Sequence, residues 1–147
     1  MSLFDDVLDS SFEDKNFGPQ EAFAGVLLGA SACDGHIADE EVGSLMTCLG
    51  RMKLYQHVQP HRFNAMMDRL MGILKRGGPE LLLEKSVPFV PPELRETAFA
   101  NACDIVLADG VVDSDEKEFV DNLMTKLEID GNRAKTIVKV MVYKNKG

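Results

Sequence analysis

The sequence has no tryptophan, few aromatic residues of any kind (7%) and no sustained alternation of apolar with polar positions. Sheets draw on aromatic and β-branched residues at a period of two, so a β architecture is poorly supplied here. Only VVD at 111–113 and TIVKVMV at 136–142 are β-branched enough to suggest a strand. The second of these has Ile137, Met141 and Lys144 at helical spacing and reads as helix. No run of about 18 apolar residues occurs, and no charged leader precedes a shorter one, so neither a spanning helix nor an export signal is expected. CxxC spacing is also missing. Cys33, Cys48 and Cys103 are odd in number and fall in helical patterns, which suits reduced thiols in a cytoplasmic protein. Basic residues are outnumbered, 16 Lys plus Arg against 24 Asp plus Glu. That argues against sequence-independent nucleic-acid binding and against docking on anionic membranes. Cations or basic partners are the natural attractants of such a chain.

What is present is helical patterning over 147 residues, enough for one domain with a sizeable core. Residues 1–17 form an arm with a weak amphipathic pattern at Leu3, Phe4, Val7 and Leu8. A first helix is expected from Gly18-Pro19 to about Asp34, since proline at the first helical turn has no N–H to lose. Phe23, Leu27, Ala30 and Cys33 lie on one face, and Gly29 with Ala30 allow a neighbour to approach closely. A second helix over 39–54 carries Val42, Leu45, Leu49 and Met52. A third over 60–76 carries Phe63, Met66, Met67, Leu70 and Leu74, and KRGG closes it. A linking helix at 78–87 ends at PFVPP. The second half repeats the plan with helices over 92–109, 114–129 and 132–144. Phe99, Ala102, Cys103 and Val106 face inward from the first of these, and Phe119, Val120, Leu123, Met124 and Leu127 from the second. The expectation is an all-α single domain of about seven helices. Two three-helix units, 18–76 and 90–147, should pack face to face about a pseudo-two-fold with one shared core.

The two halves share more than helix order. ACDGHIADEEVGS at 32–44 and LADGVVDSDEKEF at 107–119 match Asp34 with Asp109, Gly35 with Gly110, Ile37 with Val112 and Glu41 with Glu116. The offset is constant (109 − 34 = 75). Set against a calcium-binding EF-hand loop, the glycine falls at position 6, the aliphatic residue at 8 and the glutamate at 12. Positions 1 and 3 would be Ala30 and Ala32 in one copy, Ile105 and Leu107 in the other, and none of these side chains offers oxygen. An ordinary EF-hand is excluded. The surviving half could bind a hard divalent cation if another segment completes it, with Asp39, Glu40, Asp113 and Asp115 close enough in sequence to help. Calcium or magnesium is the expected ion, with zinc as the alternative. Helix capping is the plainer reading: DSDE is a capping box of Asp113 with Glu116, and Asp39 would cap the matching helix. Capping does not account for Asp34 and Asp109, which sit where a helix C-terminus disfavours negative charge.

Other candidates are weaker. His57 and His61 are four apart, but Pro60 lies between them and no third ligand is near, so they read as surface histidines. His36, inside the first loop, reads as solvent-exposed, and the methionines of AMMDRLM as core. No nucleophile–base pair, phosphate cradle or GxSxG elbow occurs, so no enzymatic activity is expected.

ACDGHIADEE and LADGVVDSDE, each between two amphipathic helices, resemble the tellurite-resistance TerB family over roughly residues 20–144. The resemblance implies a fold of two related helical units and an intracellular, non-enzymatic role in bacterial stress response. It also implies divalent metal at the acidic loops: here Asp34 and Glu41, then Asp109 and Glu116. The partners it implies are other proteins, basic or membrane-associated, without nucleic acid or membrane insertion. The first copy departs from the pattern, with Ala38 where the second has Asp113 and Cys33 in place of alanine, so it is expected to be the weaker site or to use Asp39. TerB-like domains also occur attached to J-domain co-chaperones; no J domain lies in this sequence. Direct binding of the tellurite anion does not suit so acidic a chain.

Overall fold

A computed structural model describes residues 17–33, 38–108 and 110–146, and these contain helices and no strand. The arm at 1–16 and the loop residues Asp34, Gly35, His36, Ile37 and Asp109 lie outside the described residues. Among the described residues six α-helices follow one another: α1 Pro19–Ser31, α2 Asp39–Gly50, α3 Pro60–Ser86, α4 Arg95–Leu107, α5 Ser114–Lys126 and α6 Gly131–Lys144. Short 3₁₀ turns at Lys53–Tyr55, Val87–Phe89 and Pro92–Leu94 join them. The all-α expectation holds, and the helix bounds fall within a few residues of those read from the pattern. The linking helix at 78–87 is the second arm of α3. Gly78, at φ 75° and ψ −174°, breaks α3 in a region of backbone space open to glycine, and Pro79 restarts it.

α1 organises the domain because it has no polar face. Every residue from Ala22 to Ala30 is buried, not merely the stripe through Phe23, Leu27 and Ala30. A helix apolar on all sides must be surrounded, and α1 packs against α2, α3, α4 and the turn Val87–Phe89. α4 in turn carries α5, α6 and the turn Pro92–Leu94. One apolar core therefore spans both halves, from Phe23, Leu27 and Leu70 to Phe99, Leu123 and Leu127.

Two glycines let the covering helices come close. A Cβ at Gly29 would lie 3.4 Å from the Phe119 ring of α5. A Cβ at Gly25 would overlap the hydroxyl of Ser86 and sit 3.4 Å from Leu70. Ser86 is fully buried, and its Oγ has no hydrogen-bond partner among the described residues. At the start of α1, the buried Tyr55 donates its hydroxyl to the Gln20 carbonyl at 2.7 Å and meets Phe63 edge-on at 5.6 Å. Burial pushes its phenol pKa well up, so it stays a neutral donor. Arg69 of α3 holds Glu21 at 3.4 Å and lies 4.9 Å from the Phe17 ring. Desolvation raises the Glu21 pKa, and Arg69 offsets part of that rise.

The loop register and the burial register of the two halves differ by one residue. Leu45 and Leu49 are buried in α2, whereas their loop-register counterparts Val120 and Met124 are only half-buried. In α5 the buried positions are Phe119 and Leu123. One residue is about 100° around a helix, so α2 and α5 turn different faces to the core. Their neighbours differ as well: on the α5 side, the Phe119 ring lies against Gly29 of α1.

Gly25→Ala should destabilise the fold by about 1–3 kcal/mol through overpacking, outweighing the helix propensity gained. Ser86→Ala should be neutral or stabilising, because it removes a desolvated hydroxyl with no partner. The double variant should recover part of the loss, so a denaturant-unfolding cycle should report coupling between the two positions.

Candidate functional site

The two acidic loops differ in how they start their helices. In the second, Asp113 is the N-cap of α5, in extended backbone. Its Oδ1 accepts the Glu116 N–H at 2.8 Å, while Glu116 Oε1 accepts the Asp113 N–H at 3.1 Å. This reciprocal pair is the capping box expected from DSDE. Just before it, Gly110 takes φ 80° and donates its N–H to the Leu107 carbonyl at 3.0 Å, the left-handed turn that the Asp-Gly pair calls for. Val112 packs against the core as the apolar anchor of the loop.

In the first loop the cap is absent. Ala38 occupies the N-cap position with the same extended backbone and no side-chain bond. Asp39 is the first helical residue instead, so the expectation that it caps α2 is not met. The reason is register: Ala38 stands where Asp113 stands in the other copy. Asp39, Glu40 and Glu41 fill the first turn and face the positive end of the helix dipole, which stabilises exposed charges by about 0.3–1 kcal/mol each.

These two helix starts converge. Ala30 and Ser31 of α1, Glu40, Glu41, Ser44, Leu45 and Cys48 of α2, Ile105 and Ala108 at the end of α4, and Glu116 of α5 line one cleft of about 450 Å³. Glu41 and Glu116, paired by the repeat, thus open on the same space. Asp113 is exposed beside it and committed to capping; Asp39 is exposed and outside the lining. Asp34 and Asp109 lie outside the described residues. The lining mixes carboxylates with the Ser31 and Ser44 hydroxyls, oxygen donors of the kind hard cations take. Among the described residues, no group of three or more His, Cys, Asp or Glu is placed to hold a metal ion. A cation here would need oxygen from Asp34, Asp109 or water besides Glu41 and Glu116.

Several participants were not singled out from sequence. Ser31, Ser44 and Cys48 enter the cleft only because α2 folds back on the end of α1. Asp130 caps α6, accepting the N–H groups of Asn132 and Arg133 at 3.1 and 3.2 Å. An aspartate immediately before the helical pattern was the available signal. His57 and His61 are exposed, as read.

The three cysteines sit in different surroundings. Cys48 is exposed on the cleft, and Cys33 donates to the Ala30 carbonyl at 3.2 Å. Cys103 is buried in α4; burial, with a smaller push from Asp104, raises its thiol pKa from 9.0 to about 12. Because the unfolded thiol ionises first, this contribution to stability holds below about pH 9 and is lost as pH rises toward 12. With a disulfide reagent at pH 8, Cys48 should react in the native protein and Cys103 only on unfolding.

Asp113→Ala should lower stability by about 0.5–2 kcal/mol through loss of the cap. Ala38→Asp should raise it by a similar amount, since Glu41 already stands three residues on to complete a second capping box. Thermal and denaturant unfolding of both variants measures the two effects.

Comparison with protein-family models, with curated proteins and with solved structures returns no match for this chain.

Proposed function

We propose that the chain is a non-enzymatic, TerB-like helical protein that binds a divalent cation through its two acidic loops, acting in stress response through contacts with other proteins. The observation that carries this reading is the opening of Glu41 and Glu116, one from each loop copy, on a single cleft. Net charge adds to it: a chain at −8 draws cations to an acidic concavity more strongly than isolated carboxylates would. Glu41 and Glu116 would hold the ion with Asp34 and Asp109, and the ion would neutralise carboxylates that otherwise repel one another across the cleft. Calcium and magnesium suit the oxygen donors, and zinc would add the Cys48 thiol. The link to the tellurite-resistance family rests on the two loop copies. No helix of the described residues is long and apolar enough to cross a membrane. A cytoplasmic location remains part of the proposal.

A second reading is favoured by the Asp113–Glu116 capping box, which already occupies the Glu116 carboxylate. Under it the acidic residues are caps, and the domain is a metal-free protein–protein interaction module.

The readings separate in a thermal-shift series with millimolar calcium, magnesium, manganese and zinc. A ligand of the native state must raise the melting temperature by mass action. Cation binding predicts a rise of several degrees with at least one metal. Glu41→Gln, which leaves the capping box intact, should abolish that rise. No shift with any metal leaves the metal-free module.

A further inference from the structure

We propose that the solvent face of α6 docks an acidic amphipathic segment of a partner protein. The chain is acidic overall, yet residues 131–146 carry Arg133, Lys135, Lys139, Lys144 and Lys146 and no carboxylate. On the side turned to α4 the charge is balanced: Arg133 Nε lies 2.9 Å from Glu96 and Lys144 Nζ 3.1 Å from Asp104, which also accepts from the Asn145 amide at 2.8 Å. Lys135 and Lys139, both exposed, form no ion pair among the described residues. Beside them stand Val140, 51% exposed, and Tyr143, 66% exposed. They are three residues apart and therefore share a face of the helix. Lys146 lies 5.8 Å from the Tyr143 ring and places another cation at the end of that stripe. Ala134 is the single fully buried residue of α6.

A helix needed only to close the core would carry polar residues on this side. An apolar strip flanked by exposed lysines instead fits a segment with one apolar edge and flanking carboxylates. The apolar groups supply area, and the charges steer the approach and select the partner. A flat anionic bilayer fits less well, because it meets the field of a chain at −8. A narrow peptide meets α6 alone, within a screening length of about 8–10 Å.

The test uses the full chain and a fluorescein-labelled peptide of about 15 residues, with Leu and Phe at helical i, i+3, i+4 and i+7 spacing and Asp or Glu elsewhere. Fluorescence anisotropy should report saturable binding that weakens at least tenfold in Lys139→Glu and in Tyr143→Ser. Lys117→Glu, on the exposed side of α5, should leave it unchanged. A peptide with Lys in place of Asp and Glu should not bind. Val140→Ser provides a further variant should either of the first two lower the melting temperature. Absence of saturable binding, equal binding by all variants, or equal binding of the Lys peptide would each overturn the proposal. So would association with phosphatidylserine vesicles in place of the acidic peptide, since the surface would then be a membrane contact.

Discussion

A helical run of alanine, glycine, phenylalanine, valine and leucine, apolar around its whole circumference, is stable in water only when other elements cover every side of it. α1 is that helix, and the fold is organised by the requirement to enclose it. Gly25 and Gly29 set how closely the cover can approach: the first admits Ser86 at the end of α3, the second the ring of Phe119. The second contact reaches across the two halves of the chain and ties α5 to α1. Its consequence is local as well as global. Glu116 lies three residues before Phe119, on the same side of α5, so seating the ring on Gly29 brings the carboxylate to the cleft floored by Ala30 and Ser31. Packing and site geometry thus share one origin.

The two copies agree in sequence along the loop, and their helices pack differently. Both copies start a helix with acidic residues in its first turn, but only the second has a side-chain cap. α2 and α5 then turn different faces inward by about one residue, and α5 sets its own Phe119 ring against Gly29 of α1. A motif repeated in sequence can thus begin helices whose packing differs. Both copies reach the cleft, which takes Glu116, held in a capping box, and Glu41, whose helix start has no side-chain cap among the described residues.

Much of the fold was legible because its signals are local. The Gly78-Pro79 break, the proline entry into α1, the stripe through Phe99, Ala102, Cys103 and Val106, and the Asp113–Glu116 box all follow from helix periodicity and end chemistry. The complete burial of α1 is less legible, since the stripe through Phe23, Leu27 and Ala30 marks one face of a helix that is covered on all sides. The pairing of Glu41 with Glu116 was legible as a repeat but not as a shared cleft, which residues of α1, α2, α4 and α5 line together. Ser31, Ser44 and Cys48 carried no motif at all; only the return of α2 along α1 brings them to the cleft. The mixture of basic and apolar residues on α6 was visible as letters, but its meaning depended on which lysines are paired, and that is a tertiary fact.

If the two loops serve one cation, stoichiometry is the most direct witness. Equilibrium dialysis of the full chain against manganese, a hard divalent ion with a sensitive magnetic signal, counts bound ions without reference to stability. The account predicts one saturable ion per chain, lost in Glu41→Gln. Two independent ions per chain would mean that each loop binds alone, and no saturable binding would mean that the paired acids are caps; either result contradicts it.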